Sequence, residues 1–215
     1  GELGLKQPFT RVGSADLLHL AGGDWRPFQL TDSLALGAPD EAGLNGARRE
    51  LESIAARLAH CRLAVGPQAN LQALSPAPSL IHIASHSQIV GRDPDASFVQ
   101  FHKSRLSLRN IYGLALQPYS LVVLSTCSSA LGQDRPAGEP LSLAGAFAAA
   151  GSQTQISALW PVDDLATVQF FEAFYQQLAA GHSPAQSLLA ARQALARAGS
   201  PPQDWAAFVL QGCPD

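Results

Sequence analysis

Leu80-Ile81-His82-Ile83-Ala84 runs directly into Ser85-His86-Ser87, and Leu121-Val122-Val123-Leu124 runs into Ser125-Thr126-Cys127-Ser128-Ser129. Each stretch is a short apolar run that ends in small residues. Such runs read as strands buried on both faces of a parallel sheet, where crossover helices leave neither face to water. In open α/β sheets, ligands bind outside the carboxyl ends of the strands. A His and a Cys delivered there from two strands of one sheet can serve as base and nucleophile. The chain between them is far longer than the dozen or so residues a parallel crossover needs.

Elements on either side fit the same architecture. Leu34-Ala35-Leu36-Gly37 is a strand candidate. Leu44, Ala47, Leu51, Ile54 and Leu58 recur at steps of three and four. That spacing is one face of an amphipathic helix, with Arg48, Arg49, Glu52 and Arg57 pointing elsewhere. A brief strand follows over 62–65. Residues 87–105 read as a long loop with a hairpin strand at 98–101, and 107–116 as a short helix. Gly132 to Gly138 reads as a loop. Residues 140–150 read as a buried helix stopped by Gly151. A strand is expected over 156–160, helices over about 164–180 and 184–198, and a final strand over 206–210. Ser183, Pro184 and Gln186 supply a cap, a first-turn proline and the closing residue of a capping box. Strand and helix alternate, which gives a doubly wound α/β sandwich. A partial strand is expected near 15–20.

Composition narrows the function classes. The 215 residues are 47% hydrophobic and 14% charged, enough for a large core. A net charge of −3 makes no electrostatic case for nucleic-acid binding. No apolar run is long enough to span a bilayer, and no secretory signal opens the chain. Three scattered Cys argue against a disulfide framework and for a reducing, cytoplasmic setting. Met is absent even at position 1, so a fragment of a longer protein is expected. No Gly-rich phosphate loop and no paired-Cys zinc spacing occurs, so neither cofactor nor metal is expected.

The residues around His86 and Cys127, the segment Ala158-Leu159-Trp160-Pro161-Val162-Asp163-Asp164, Phe174-Tyr175 and the segment from Trp205 to Leu210 together resemble a CHAT domain. That family is similar to caspases and separase and is often attached to tetratricopeptide repeats. The resemblance spans roughly residues 33–212. It implies a caspase-like three-layer αβα sandwich with a mostly parallel sheet over 33–215, preceded by a partial segment over 1–32. It also implies a bacterial-type cysteine endopeptidase acting on protein or peptide substrates. His86 would be the general base and Cys127 the nucleophile. The backbone N–H groups of Ser87 and Cys127 would bind the oxyanion, and a repeat region or a regulatory partner would gate activity. Two departures stand out. The residue after the His is commonly Gly in the family and is Ser87 here, and the acidic residue after the Cys is replaced by Ser128.

Other residues carry two accounts each. His82 and His86 share a strand face about 13 Å apart, too far to hold one ion. His82 reads as a core histidine with a hydrogen-bonded ring. Asp163 and Asp164 stand between a strand and a helix. They are a helix cap in the bland account. By resemblance to separase, they are an acidic pocket floor for a basic residue before the scissile bond. Trp160 reads as a wall of that pocket or, equally, as a core aromatic at a strand end. Cys61 and Cys213 have no identifiable acidic or His partner. The rival to an enzyme is an inactive caspase-like scaffold for protein–protein interaction, since fold alone does not carry activity.

Overall fold

The computed structural model describes residues 26–38, 45–90, 93, 95–118, 120–126, 133–135 and 138–215. In chain order, the first half contains β1 (Ser33–Gly37), α1 (Asn45–Arg57), β2 (Cys61–Val65), β3 (Leu80–Ala84), β4 (Ser87–Gln88), β5 (Phe98–Phe101), β6 (Ser104–Ser107) and α2 (Leu108–Tyr112). The second half contains β7 (Leu121–Ser125), β8 (Gln133–Arg135), β9 (Gly138–Leu141), α3 (Leu143–Ala149), β10 (Thr154–Ala158), α4 (Asp164–Ala179), α5 (Pro184–Arg197), α6 (Pro202–Trp205) and β11 (Phe208–Gly212).

The main sheet has six strands in the order β11-β10-β7-β3-β1-β2. All neighbours pair parallel except β10 with β11. Strand residues alternate between two cores, as the twofold period of a strand requires. Leu80, Leu121, Val123, Ile156 and Phe208 pack under α1, α4 and α5. Ile81, Ile83, Val122 and Leu124 pack on the opposite face against α2, α3 and the small β5–β6 sheet. The result is a three-layer αβα sandwich. Phe170, Phe171, Phe174 and Tyr175 of α4 are all buried in the first core, each burial being worth roughly 1.5–3 kcal/mol.

Helix ends follow local chemistry. The Ser183 hydroxyl accepts from the Gln186 N–H while the Gln186 side chain accepts from the Ser183 N–H, the expected capping box. The chain turns after α3 through Gly151, whose φ of +108° few other residues tolerate. Arg192 of α5 is buried and donates from Nη2 to the Phe208 carbonyl at 2.6 Å. Desolvation lowers its pKa to about 10, so it remains charged at neutral pH and ties α5 to β11.

Several expectations need correction. The segment read as a loop from Gly132 contains β8, which pairs with β9 in a hairpin. The helix expected from 140 therefore begins at Leu143, with 140 and 141 in β9. The strand expected to reach Trp160 ends at Ala158, and the last strand starts at Phe208, because the chain bends through Ala206 and Ala207 after α6 ends at Trp205. The loop over 87–105 also holds β4 and the start of β6, which sandwich β5 in an antiparallel sheet. The partial strand near 15–20 lies outside the described residues. No helix among the described residues is long and apolar enough to cross a membrane.

Candidate active site

β3 and β7 are adjacent and parallel, and their register sets Ala84 opposite Ser125. His86 follows Ala84 by two residues, and Cys127 follows Ser125 by two residues. Cys127 itself lies outside the described residues, as do Ser128 and Ser129. His86 is exposed at the mouth of a cleft at the carboxyl end of the sheet. Its backbone is tied down: the His86 carbonyl accepts from the Gln100 N–H at 2.8 Å. One residue earlier, the Ser85 hydroxyl donates to the Gln100 carbonyl. Antiparallel pairing alternates between bonded and non-bonded pairs. With His86 opposite Gln100 in a bonded pair, Ser87 opposite Val99 turns its own N–H away from β5.

The cleft encloses about 530 Å³ including its open mouth. Ser85, His86, Ser125 and Thr126 form one wall, from the ends of β3 and β7. Ala158, Trp160 and Val162 line it from the end of β10, and Phe208 closes it from β11. Glu50 and Gly46 of α1 meet Asp164 and Thr167 of α4 on the remaining side.

The two neighbouring aspartates have separate tasks. Asp163 is the N-cap of α4, its Oδ1 accepting from the N–H groups of Leu165 at 2.9 Å and Ala166 at 3.1 Å. Asp164 is exposed and lines the cleft. It lies against Gly46 so closely that a Cβ added there would stand 2.5 Å from the Asp164 Cβ and 2.8 Å from its Oδ2. Glycine at this position lets the first turn of α1 close on the carboxylate. Trp160 stays 37% exposed, and its indole N–H is fixed by the Gln203 carbonyl at 2.8 Å.

Glu50 was not singled out in the sequence. It is only 3% exposed. Its Oε2 accepts from the Ser125 hydroxyl at 3.0 Å. Its Oε1 lies 2.9 Å from His82 Nε2, a close contact short of hydrogen-bond alignment. The other ring nitrogen of His82, Nδ1, meets the Tyr175 hydroxyl at 2.8 Å. His82 is fully buried, as expected of a core histidine, with Phe171 edge-on at 5.0 Å between ring centres. Burial and then the Glu50 charge hold the Tyr175 phenol well above its ordinary pKa. The phenol therefore stays protonated beside Nδ1. A signal for Glu50 existed: it lies three residues from Ala47 and four from Ile54, inside the apolar stripe of α1. A charge in that stripe must find buried partners.

Among the described residues, no group of His, Cys, Asp and Glu is arranged to hold a metal ion. Cys61 is half-buried and Cys213 buried, and both are free thiols.

Comparison with known proteins gives the site its context. The CHAT domain family pattern matches residues 9–213. Tetratricopeptide repeat protein 28 of Mus musculus is 40% identical over 94 residues, covering 43% of this chain and 4% of that protein. Separase of Saccharomyces cerevisiae, solved in complex with securin, has a TM-score of 0.66 at 18% identity, over 95% of this chain and 14% of that one. The Arg-specific cysteine proteinase gingipain R has a TM-score of 0.57 at 12% identity, over 85% of this chain and 46% of that one. This chain thus spans a small part of the repeat protein and of separase, and under half of gingipain R. At these identities the likeness to the two solved structures is one of fold, and that fold is the caspase-like αβα sandwich.

Proposed function

The chain belongs to the CHAT domain family, and on that premise we propose that it is a cysteine endopeptidase domain using His86 and Cys127. The observation that carries this reading is the level register of Ala84 and Ser125 on adjacent parallel strands. It starts both reacting segments from the same place, at the rim of one cleft. His86 takes the proton of the Cys127 thiol as sulfur attacks the peptide carbonyl. The N–H groups of Ser87 and Cys127 receive the oxyanion. His86 returns the proton to the departing amine, leaving a thioester. Water, deprotonated by His86, attacks the thioester carbonyl, and the thiol leaves with the proton. The residue before the cut enters between Trp160 and Asp164 and is basic, with Asp164 supplying the charge while Asp163 holds the helix. Its partner is a protein substrate, and a further region or regulatory protein controls access.

A mixture of unstructured peptides incubated with the protein, with products read by mass spectrometry, tests this reading. Cuts after Arg or Lys that vanish in Cys127→Ala are expected. The likeness to a protein named for its tetratricopeptide repeats also fits a second reading, the inactive scaffold. No cuts at any site, together with equal and slow labelling of all three cysteines, would establish the scaffold instead.

A further inference from the structure

We infer that Glu50 is a positioning residue, holding the reacting end of β7 through Ser125 from an anchor of His82 and Tyr175 inside the core. The inference rests on the peptidase reading and assigns a task to a chain of side chains which that reading leaves unused. A stripe made of Ala47, Leu51 and Ile54 would pack most simply with another apolar residue at position 50. A buried carboxylate there costs several kcal/mol unless it is paired and hydrogen-bonded. Glu50 offsets that cost with one hydrogen bond, on Oε2, and one close contact without hydrogen-bond alignment, on Oε1. His82 faces Oε1 at 2.9 Å, and the Ser125 hydroxyl donates to Oε2 at 3.0 Å. Its oxygens are therefore committed inward, unlike those of exposed Asp164, and Glu50 is not the group that meets a substrate charge.

The anchor is buried. His82 is fully buried on the central strand β3, and Tyr175 is fully buried on α4. Their 2.8 Å contact fixes the ring that faces Glu50. Ser125 is the only residue of this chain of contacts at the strand end, and it stands level with Ala84. Holding it sets where the backbone leaves β7 toward Cys127 relative to where β3 leaves toward His86. Because the Ser125 proton is committed to Glu50, the hydroxyl meets the cleft only as an acceptor. Reacting groups must be held close to their productive geometry, and a displacement of about 1 Å can cost a hundredfold in rate.

The test is the rate at which iodoacetamide alkylates Cys127 across pH 5–9, read by mass spectrometry, with Cys61 and Cys213 as internal references. In the wild-type chain Cys127 is expected to react fastest, its thiol activated by the neighbouring base. Glu50→Gln and Ser125→Ala are each expected to slow Cys127 about tenfold to a hundredfold and to move its pH profile, while Cys61 and Cys213 keep their rates. A role confined to packing would not move that profile. Should Glu50→Gln fail to fold, Ser125→Ala decides alone, because it removes one hydroxyl from a half-buried position. The inference is overturned if wild-type Cys127 reacts fastest and its rate and profile stay within twofold in the folded variants. If wild-type Cys127 reacts no faster than Cys61, the peptidase reading falls and this inference falls with it.

Discussion

Ala84 and Ser125 stand directly opposite each other at the carboxyl ends of two parallel strands, β3 and β7. Two residues further on lie His86 and Cys127. Replacing His86 by Ala removes the proposed base without touching the strand pairing, since the bond from Gln100 reaches the His86 backbone carbonyl. Peptide cleavage is expected to fall about 10²–10⁴-fold, with the melting temperature little changed. A steady-state assay beside a thermal melt checks both. Retained activity would remove His86 from the reaction.

Asp163 and Asp164 separate by measurement as they do by geometry. Asp163→Ala deletes an N-cap that accepts two N–H bonds, and is expected to cost about 1 kcal/mol of stability. Cleavage preference should survive it. Asp164→Asn loses a charge near a helix start, worth roughly 0.3–1 kcal/mol, and is expected to abolish preference for Arg or Lys before the cut. Denaturant unfolding and a peptide panel, run on both variants, read out the two effects. A crossed result, with preference lost in the Asp163 variant alone, would move the charge recognition to the capping residue.

Features written by neighbours in the chain are legible in the sequence. The Ser183–Gln186 capping box and the Leu80–Ala84 and Leu121–Leu124 runs need only local chemistry, and each stands where the residue pattern put it. The buried, hydrogen-bonded state of His82 followed from its place inside an apolar strand. The β8–β9 pairing was not legible, because a segment rich in Gly and Pro reads as loop and says nothing of which residues pair. Glu50 was hidden for a different reason. Its partners His82 and Ser125 come from two other elements, and Tyr175 behind His82 from a third, so only the tertiary fold brings them together. The closeness of Gly46 to Asp164 is likewise a fact about two helix starts meeting.

That meeting makes a prediction of unusual sign. Within a helix, Gly→Ala ordinarily stabilises by roughly 0.5–1 kcal/mol. At Gly46 the added Cβ would stand 2.5 Å from the Asp164 Cβ, so α1 or α4 must shift. Gly46→Ala is expected to destabilise by about 1–3 kcal/mol and to raise KM for basic peptides. Shortening the opposing side chain in Gly46→Ala/Asp164→Gly should restore stability but not the basic preference. A double-mutant cycle in urea measures the coupling, and additive effects would show that the two residues do not press on each other.

Tyr175 supplies the pH dependence. Burial first, and the Glu50 charge second, raise the phenol pKa well above its ordinary value. A group with a raised folded pKa stabilises fully below its unfolded pKa, near 10 for tyrosine, and loses that contribution as pH climbs from there toward the folded value. Tyr175→Phe keeps the ring but leaves the buried His82 Nδ1 without its partner, a loss of about 1–3 kcal/mol at neutral pH. The variant cannot ionise at this position, so it escapes the alkaline penalty that the wild type suffers. The stability gap between the two is therefore expected to be constant from pH 7 to about 9.5 and to narrow above pH 10. Urea unfolding of both proteins across that range measures it. A gap that stays constant to pH 11 would mean that the phenol reaches solvent, and that the anchor beneath Glu50 is looser than its 2.8 Å contact with His82 implies.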